Sequence, residues 1–449
     1  MNITVFISLL FGLQAIYWLI GRQSSKNLKD HKDYFLAGKN VNFFPLMMTF
    51  LATQVGGGLV LGAAEEAYQY GWPVLLYPLG ASLGLILLGL GLGKKLAKFP
   101  VSTVAQILEV VYRSSMLKKV ASLLSVISLF MILVAQVIAS SKFLLSIGFD
   151  NTPLFIAFWS IVILYTVQGG LKAVISTDIA QASVFSFVFF LCLALVLFGQ
   201  PSLSLHLPSM QQFASVSPKF SGWLLMPMMF MIIEQDMAQR CFAGSSPKVV
   251  SKATLWAGIA TMAICFVPVF LGVLAKTMGV EVVPGSSVLI ASVAHMTNPF
   301  VTALVGCAIL AAIISTATSL INAISSNLSS DFMQGQKSVR LVRWITAMIS
   351  IAAIFFAFCF DNVVDMLIQS YDLSVSCLFV PILFALFLKK PGRLPSAVLS
   401  IVFGALGFCL FRIWEIPFPK EIASIALSFL GYGCGELFLR NQIREQSAA

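Results

Sequence analysis

The chain has 449 residues, 59% of them hydrophobic and only 10% charged, with a formal net charge of +10 and a mean hydropathy of +0.94. No soluble domain of this length has such a balance, so the chain reads as a polytopic membrane protein. Its basic excess is spread along segment edges instead of forming one patch, which argues against a nucleic-acid partner.

In chain order, thirteen apolar segments reach spanning length: 4–21, 42–68, 73–96, 120–147, 152–170, 174–199, 220–242, 253–277, 298–328, 340–360, 363–388, 394–412 and 419–439. The first lacks a basic leader region and an A-x-A cleavage site, so it is expected to be a retained helix and not a signal peptide. Alternate connections carry the basic residues. They include Arg22 to Lys39 after the first span, Lys94 to Lys119 after the third, and Arg240, Lys248 and Lys252 at the seventh. Of the 28 basic residues, 23 fall on one side. The positive-inside rule makes that side cytoplasmic, with the N-terminus outside and the C-terminus inside. The longest outer loops, 200–219 and 278–297, are too short for a catalytic domain, and no enzyme chemistry is expected. The eight cysteines form no CxxC pair and read as small apolar residues. His31, His206 and His295 fall in predicted loops and form no ligand cluster.

The stretch 42–70 is apolar enough to cross a bilayer, yet its middle reads Ala52-Thr53-Gln54-Val55-Gly56-Gly57-Gly58. Each glycine costs a helix about 1 kcal/mol relative to alanine. Backbone that unwinds in hydrocarbon survives only against protein or a water-lined cavity. The stretch therefore reads as a broken helix at a binding centre, or as a glycine face for close helix packing. A second break is expected in the seventh span, where Pro227 precedes Glu234. Polar residues inside spans are costly and often functional. They are Gln136, then Thr177, Asp178 and Gln181, then Glu234, Gln235, Asp236, Gln239 and Arg240. Farther on come Ser315, Thr316, Thr318, Ser319 and Asn322, and finally Gln369 and Asp372. Asp236 and Arg240 have the i, i+4 spacing of a local ion pair. The two breaks lie five spans apart, the relation expected between inverted five-helix repeats.

Four motifs carry a resemblance. DYFLAG at 33–38 precedes the broken helix. YTVQGGLKAVISTDIAQ at 165–181 resembles YT-x-x-GG-x-x-A-V-x-x-TD-x-x-Q. QRCFAGSS at 239–246 resembles QR-x-x-A/S-x-S/K. AAIISTATSLINAISSNLSSD at 311–331 resembles an A-A-x-x-S-S/T helix ending in an acidic residue. In this order, over roughly 33–390, they resemble the sodium:solute symporter family. VGGGLVLGAAEEAY is nearest its high-affinity choline transporter branch. The resemblance implies an all-α LeuT-type fold of thirteen transmembrane helices. It also implies a core at 42–390 built of repeats 42–199 and 220–390, an N-terminal extra helix and loop at 1–41, and two C-terminal helices at 391–449. It implies sodium-coupled symport of a small organic solute, with Na+ as coupling ion and no other cofactor. The expected location is the plasma membrane, the inner membrane of a bacterium.

Carried over residue by residue, the family's sodium site falls on Ala52, Val55, Ala312, Ser315 and Thr316. Asp178 matches an acidic residue near a second ion site, or it caps a helix. The substrate cavity is expected at Gln54, Gly56, Gly57, Gly58, Ala81, Gln136, Glu234 and Gln235. Here the chain departs from the choline branch, because Gln54, Ala81, Leu133 and Glu234 stand where that branch carries rings. An amide and a carboxylate suit a donor-bearing substrate or proton coupling, and fit choline poorly. A proton-coupled carrier and a transport-inactive sensor of the same fold are the other readings.

The topology is testable by cysteine-accessibility labelling in intact cells. Gln442→Cys is expected to react only after permeabilisation, and residues in 200–219 with impermeant reagents from outside. External labelling at 442 would reverse the orientation.

Overall fold

The computed structural model describes residues 3–25, 31–148, 152–199, 216, 219–283, 286–333, 338–358, 363–388, 392–414 and 418–448. The described residues are almost entirely helical. In chain order the helices are α1 (Ile3–Ser24), α2 (His31–Leu36), α3 (Phe43–Gln54), α4 (Gly58–Tyr70), α5 (Trp72–Leu96), α6 (Val104–Tyr112), α7 (Ser115–Ser146) and α8 (Thr152–Gly199). They continue with α9 (Ser221–Ile233), α10 (Gln235–Ala243), α11 (Pro247–Thr277), α12 (Val288–Met296), α13 (Pro299–Phe332), α14 (Val339–Ala357), α15 (Val363–Phe387), α16 (Leu394–Ile413) and α17 (Lys420–Ala448). Nine of them are long and apolar enough to cross a membrane, or ten if the bent pair α3–α4 is one span.

Local sequence explains where helices begin. Thr103, Ser114, Ser246, Ser287 and Asn298 each accept a backbone N–H of the first turn with their side chains. Pro247 and Pro299 follow two of these caps, where the missing N–H is no loss. The expected outer loop 278–297 in fact contains the nine-residue α12, too short to register as a span. The loop 200–219 lies almost wholly outside the described residues.

α8 has 48 residues, about 72 Å of helix, against a hydrocarbon core of about 30 Å. It is two legs joined at Gly170, whose φ of 55° lies in the left-handed region. A Cβ there would also strike the Tyr34 carbonyl, at 2.5 Å.

α13 is the central post, with 89% of its apolar stretch buried inside the protein. Seven of its nine residues from Ala311 to Ser319 are Ala, Ser or Thr, which keeps its girth small, so neighbours approach closely. It packs on α8, α7 and α3, while α11 covers α3, α4 and α5. α16 and α17 pair with each other at the side. Of the described cysteines five are buried, as expected, whereas Cys409 and Cys434 on this flanking pair are exposed.

Both expected breaks are present. α3 and α4 meet at 61°. α9 and α10 meet at Glu234, whose ψ of 131° is extended. The second break therefore falls on Glu234 itself, seven residues past Pro227, which lies inside α9 directly after a π-helical turn at Ser221–Leu225. The two broken helices are pinned together at one end. Val41 N–H donates to the Ala243 carbonyl at 3.1 Å, and Ser245 N–H to the Val41 carbonyl at 3.0 Å. Lys94, Lys95 and Lys98 lie at this basic end.

Candidate functional site

The α3–α4 break leaves the carbonyls of Ala52 and Thr53 without their helical partners. α13 supplies replacements. Ser315 Oγ donates to the Ala52 carbonyl at 2.7 Å and lies 2.9 Å from that of Ala312. Thr316 Oγ1 lies 2.9 Å from the Thr53 carbonyl, 3.2 Å from that of Ala312 and 3.4 Å from that of Ala52. Four of the five expected sodium-site residues thus meet in one cluster of carbonyl and hydroxyl oxygens, with Thr53 added. Val55, the fifth, ends α3 with ψ 88°, and its N–H still bonds the Leu51 carbonyl at 2.9 Å. Hard alkali cations take such oxygen ligands from unwound backbone.

The amide side of the break is held differently. Gly57 N–H donates to Gln136 Oε1 on α7 at 2.7 Å. The glycines are required by proximity. A Cβ on Gly56 would lie 2.5 Å from Thr316 Oγ1, and one on Gly57 2.6 Å from the Ala139 Cβ. A Cβ on Gly58 would collide with Leu367.

Beside the break lies a small cavity of about 20 Å³, room for about one water. Gln54, Gly56, Gly58, Gln136 and Glu234 line it, as expected. Glu234 Oε2 is buried with no hydrogen-bond partner. Three expected residues do not line it. Gln235 turns away: its Oε1 accepts the Val104 N–H at 2.8 Å and its Nε2 donates to the Ser102 carbonyl at 3.0 Å. The extended residue at Glu234 restarts the helical phase, so sequence neighbours face opposite ways. Ala81 is buried one turn beyond the true lining residue of its helix, Tyr77. Gly57 sits behind the wall, against Ala139.

Sequence reading missed Tyr77 and Tyr371, which both line the cavity. Both are buried, and the Tyr371 ring sits 4.7 Å from that of Phe230. Rings lost at Gln54, Ala81 and Glu234 are thus partly replaced by others. Asp372, the neighbour of Tyr371, was the visible signal. It faces the other way, accepting from Ser376 at 3.0 Å and from Arg412 at 3.4 Å.

Asp178 and Arg240 correct two expectations. Asp178 lies inside α8, not at a helix start, so it is no cap. Arg240 Nη2 pairs with Asp178 Oδ2 at 3.2 Å, both side chains fully buried. The same guanidinium donates to Thr49 at 2.9 Å and Ser319 at 2.5 Å, while Asp236 contributes only its backbone carbonyl, at 2.9 Å. Thr49 Oγ1 also donates to Asp178 Oδ2, at 2.5 Å. The i, i+4 pair with Asp236 is not made, because α10 turns Arg240 across to α3, α8 and α13.

A membrane bundle with two broken helices crossing at a polar centre defines a class, integral membrane proteins of the LeuT-type fold. The particular family follows from the sequence. The profile of the Sodium:solute symporter family matches residues 34–393, and the chain belongs to that family. Among curated relatives, the sodium/pantothenate symporter of Haemophilus influenzae is 28% identical over 41% of this chain and 38% of its own length. High-affinity choline transporter 1 of Drosophila melanogaster is 29% identical over 36% of this chain and 26% of its own length. The matched segments thus span well under half of those relatives. Among solved structures, a substrate-bound, outward-open Na+-coupled sialic acid symporter superposes with TM-score 0.76 at 18% identity, covering 96% of this chain and 98% of that one. Mhp1, a nucleobase-cation-symport-1 family transporter in a closed conformation, gives 0.61 at 14% identity over 91% and 94%.

The Arg240 network predicts a stability signature. Arg240→Ala leaves Asp178 buried and unpaired, which costs about 3–5 kcal/mol. Adding Asp178→Asn removes the stranded charge and is expected to restore part of the loss. Unfolding in detergent measures both, and a double variant less stable than Arg240→Ala would show the pair is not the organising contact.

Proposed function

We propose that the protein is a secondary active transporter that couples an inward sodium gradient to uptake of a small polar organic solute by alternating access. The observation that carries this reading is the meeting of Ser315 and Thr316 hydroxyls with the carbonyls of Ala52, Thr53 and Ala312 at the helix break. Sodium is the ion that matches this set: neutral oxygens only, and geometry supplied by backbone. Val55 completes it through its freed carbonyl. The ion then bridges α13 to the broken helix, so occupancy biases how the two move against each other. The relatives' names, pantothenate, choline and sialic acid carriers, fit the same solute class.

The solute site is the adjoining cavity. Glu234 supplies a carboxylate, Gln54 and Gln136 amides, and Tyr77 and Tyr371 rings with hydroxyls. This lining favours a substrate with an ammonium or several hydrogen-bond donors. A solute larger than water enters only after the cavity widens, as alternating access requires. In this reading the thirteen spans count both legs of α8, the α9–α10 pair and α17. They form repeats 42–199 and 220–390, with the basic end cytoplasmic. Asp178 is a weaker candidate for a second ion or proton site, since Arg240 already neutralises it.

A second reading, proton coupling, has its own observation. Glu234 and Asp236 are both buried, and Glu234 Oε2 has no hydrogen-bond partner among the described residues; a carboxyl group so placed is less costly protonated than charged.

Two expectations follow. Ser315→Ala with Thr316→Ala is expected to abolish sodium stimulation of uptake in proteoliposomes while the protein stays inserted. Sodium dependence equal to wild type would remove these hydroxyls from the ion site. Glu234→Gln keeps the size and removes the charge, which for a charge-assisted contact weakens solute binding roughly 10- to 100-fold. Sodium binding measured alone is expected to change little. Solute affinity and pH profile both equal to wild type would exclude Glu234 from either role.

A further inference from the structure

At the basic end of the bundle, α13 widens into a π-helical turn, Leu328–Phe332, that carries Asp331. Asp331 lies fifteen residues beyond Thr316 on α13, about 22 Å along the helix axis, so it belongs to no part of the site described above. Its side chain is 4% exposed. Oδ1 accepts Thr103 Oγ1 at 2.8 Å and Gln106 Nε2 at 3.1 Å. Oδ2 is buried with no hydrogen-bond partner. One turn earlier on the same face stands Asn327, 1% exposed. Its Nδ2 donates to Ser125 at 3.0 Å, which turns its Oδ1, also unpartnered, away from that contact. Across from them α7 brings Ser122 beside Asp331 and Ser125 beside Asn327.

The charge at this place is unbalanced. Among the described residues no ion pair reaches Asp331. Lys118 is the basic neighbour that acts on it, and its ammonium is engaged by Glu109 at 2.7 Å. A buried carboxylate held by two neutral donors, with the Ser122 hydroxyl near its second oxygen but not bonded to it, is costly unless a further positive partner arrives. The orphaned atoms are oxygens: a carboxylate, a carboxamide and the Ser122 hydroxyl. One negative charge with neutral oxygen donors fits a monovalent hard cation. Calcium and magnesium sites draw on more carboxylates or on retained water.

We propose that Asp331, Asn327 and Ser122 form a second binding site, for a monovalent alkali cation, at the basic end of α13. The bound ion clamps α13 to α7, with α6 held alongside through Thr103 and Gln106. It thereby stabilises the closed packing at this end of the bundle. Sodium and potassium share the required chemistry.

The test uses the purified full-length protein carrying Ser315→Ala and Thr316→Ala. Saturation binding of radioactive sodium, with potassium competition, is combined with thermal unfolding in sodium, potassium and N-methyl-D-glucamine chlorides of equal ionic strength. An alkali-specific gain in unfolding temperature and a bound cation are expected to persist in this background, and to vanish when Asp331→Asn is added. In the glucamine salt Asp331→Asn is expected to unfold no lower than the background, because the orphaned charge is gone. The salt giving the larger gain identifies the ion. Cation binding retained in Asp331→Asn overturns the proposal. So does the absence of any alkali-specific gain in the background, or an equal loss of stability in all three salts, which marks Asp331 as a hydrogen-bond acceptor alone. Should Asp331→Asn not fold, Asn327→Ala keeps the carboxylate and is expected to weaken cation affinity about tenfold; unchanged affinity counts against the site. Failure of the Ser315 and Thr316 assignment shows separately, as unchanged sodium stoichiometry between wild type and the double-alanine background.

Discussion

The structure depends on one constraint: backbone polar groups freed inside an apolar bundle must find partners. Breaking a helix at Gly56–Gly58 strands carbonyls on one side and amides on the other. Each buried group left unpaired costs about 1–3 kcal/mol, so the break persists only because α13 and α7 complete it. Ser315 and Thr316 cover the carbonyl side, and Gln136 holds the Gly57 amide. Those partners need contact at hydrogen-bond distance, which explains the absence of side chains at 56–58 and the small residues along α13. The polar centre is therefore a product of how the break is satisfied.

How far the sequence discloses this can be judged residue by residue. The first break is legible because three glycines inside an apolar span have little other use. Glu234 is legible as a carboxylate among Met, Phe and Ile. The hydroxyl pair on α13 becomes a site only through the family motif, since Ser and Thr in a membrane helix commonly bond their own backbone. The Arg240–Asp178 pair spans 62 residues, and no local spacing rule reaches it. The i, i+4 rule instead proposed Asp236. Tyr77 and Tyr371 were hidden among 38 Phe and 9 Tyr, where a ring by itself says nothing about which face it lines. Gln235 misled for a geometric reason: one extended residue beside it reset the helical phase.

Arg240 ties the second break to the first. Its guanidinium reaches α3 through Thr49, α8 through Asp178 and α13 through Ser319. Thr53, whose carbonyl accepts from the Thr316 hydroxyl, also meets Ser319 through its own hydroxyl, at 2.9 Å. One network thus runs from Asp178 through Arg240 and Ser319 to the oxygen cluster at Ala52 and Thr53. A fixed guanidinium in this position supplies positive charge near the hydroxyls without occupying them. It disfavours a second cation beside Asp178, but leaves the neutral oxygens of the break open to one.

Those neutral oxygens can serve two states without moving far. Three carbonyls converging on one point repel each other, and a hydroxyl hydrogen turned toward one of them relieves that repulsion. When a cation enters, the hydroxyl rotates about its C–O bond, and its lone pair replaces its hydrogen at the same point. On the proposed reading the shorter separations, 2.7–2.9 Å, open slightly, since oxygens that share an ion sit farther apart than oxygens that share a hydrogen. The break therefore need not refold when the ion leaves. What changes is the strength of the tie between α13 and the broken helix, from hydrogen bonds of about 1 kcal/mol net each to ion coordination. That difference is the free energy by which an ion can bias the movement of one set of helices against the other.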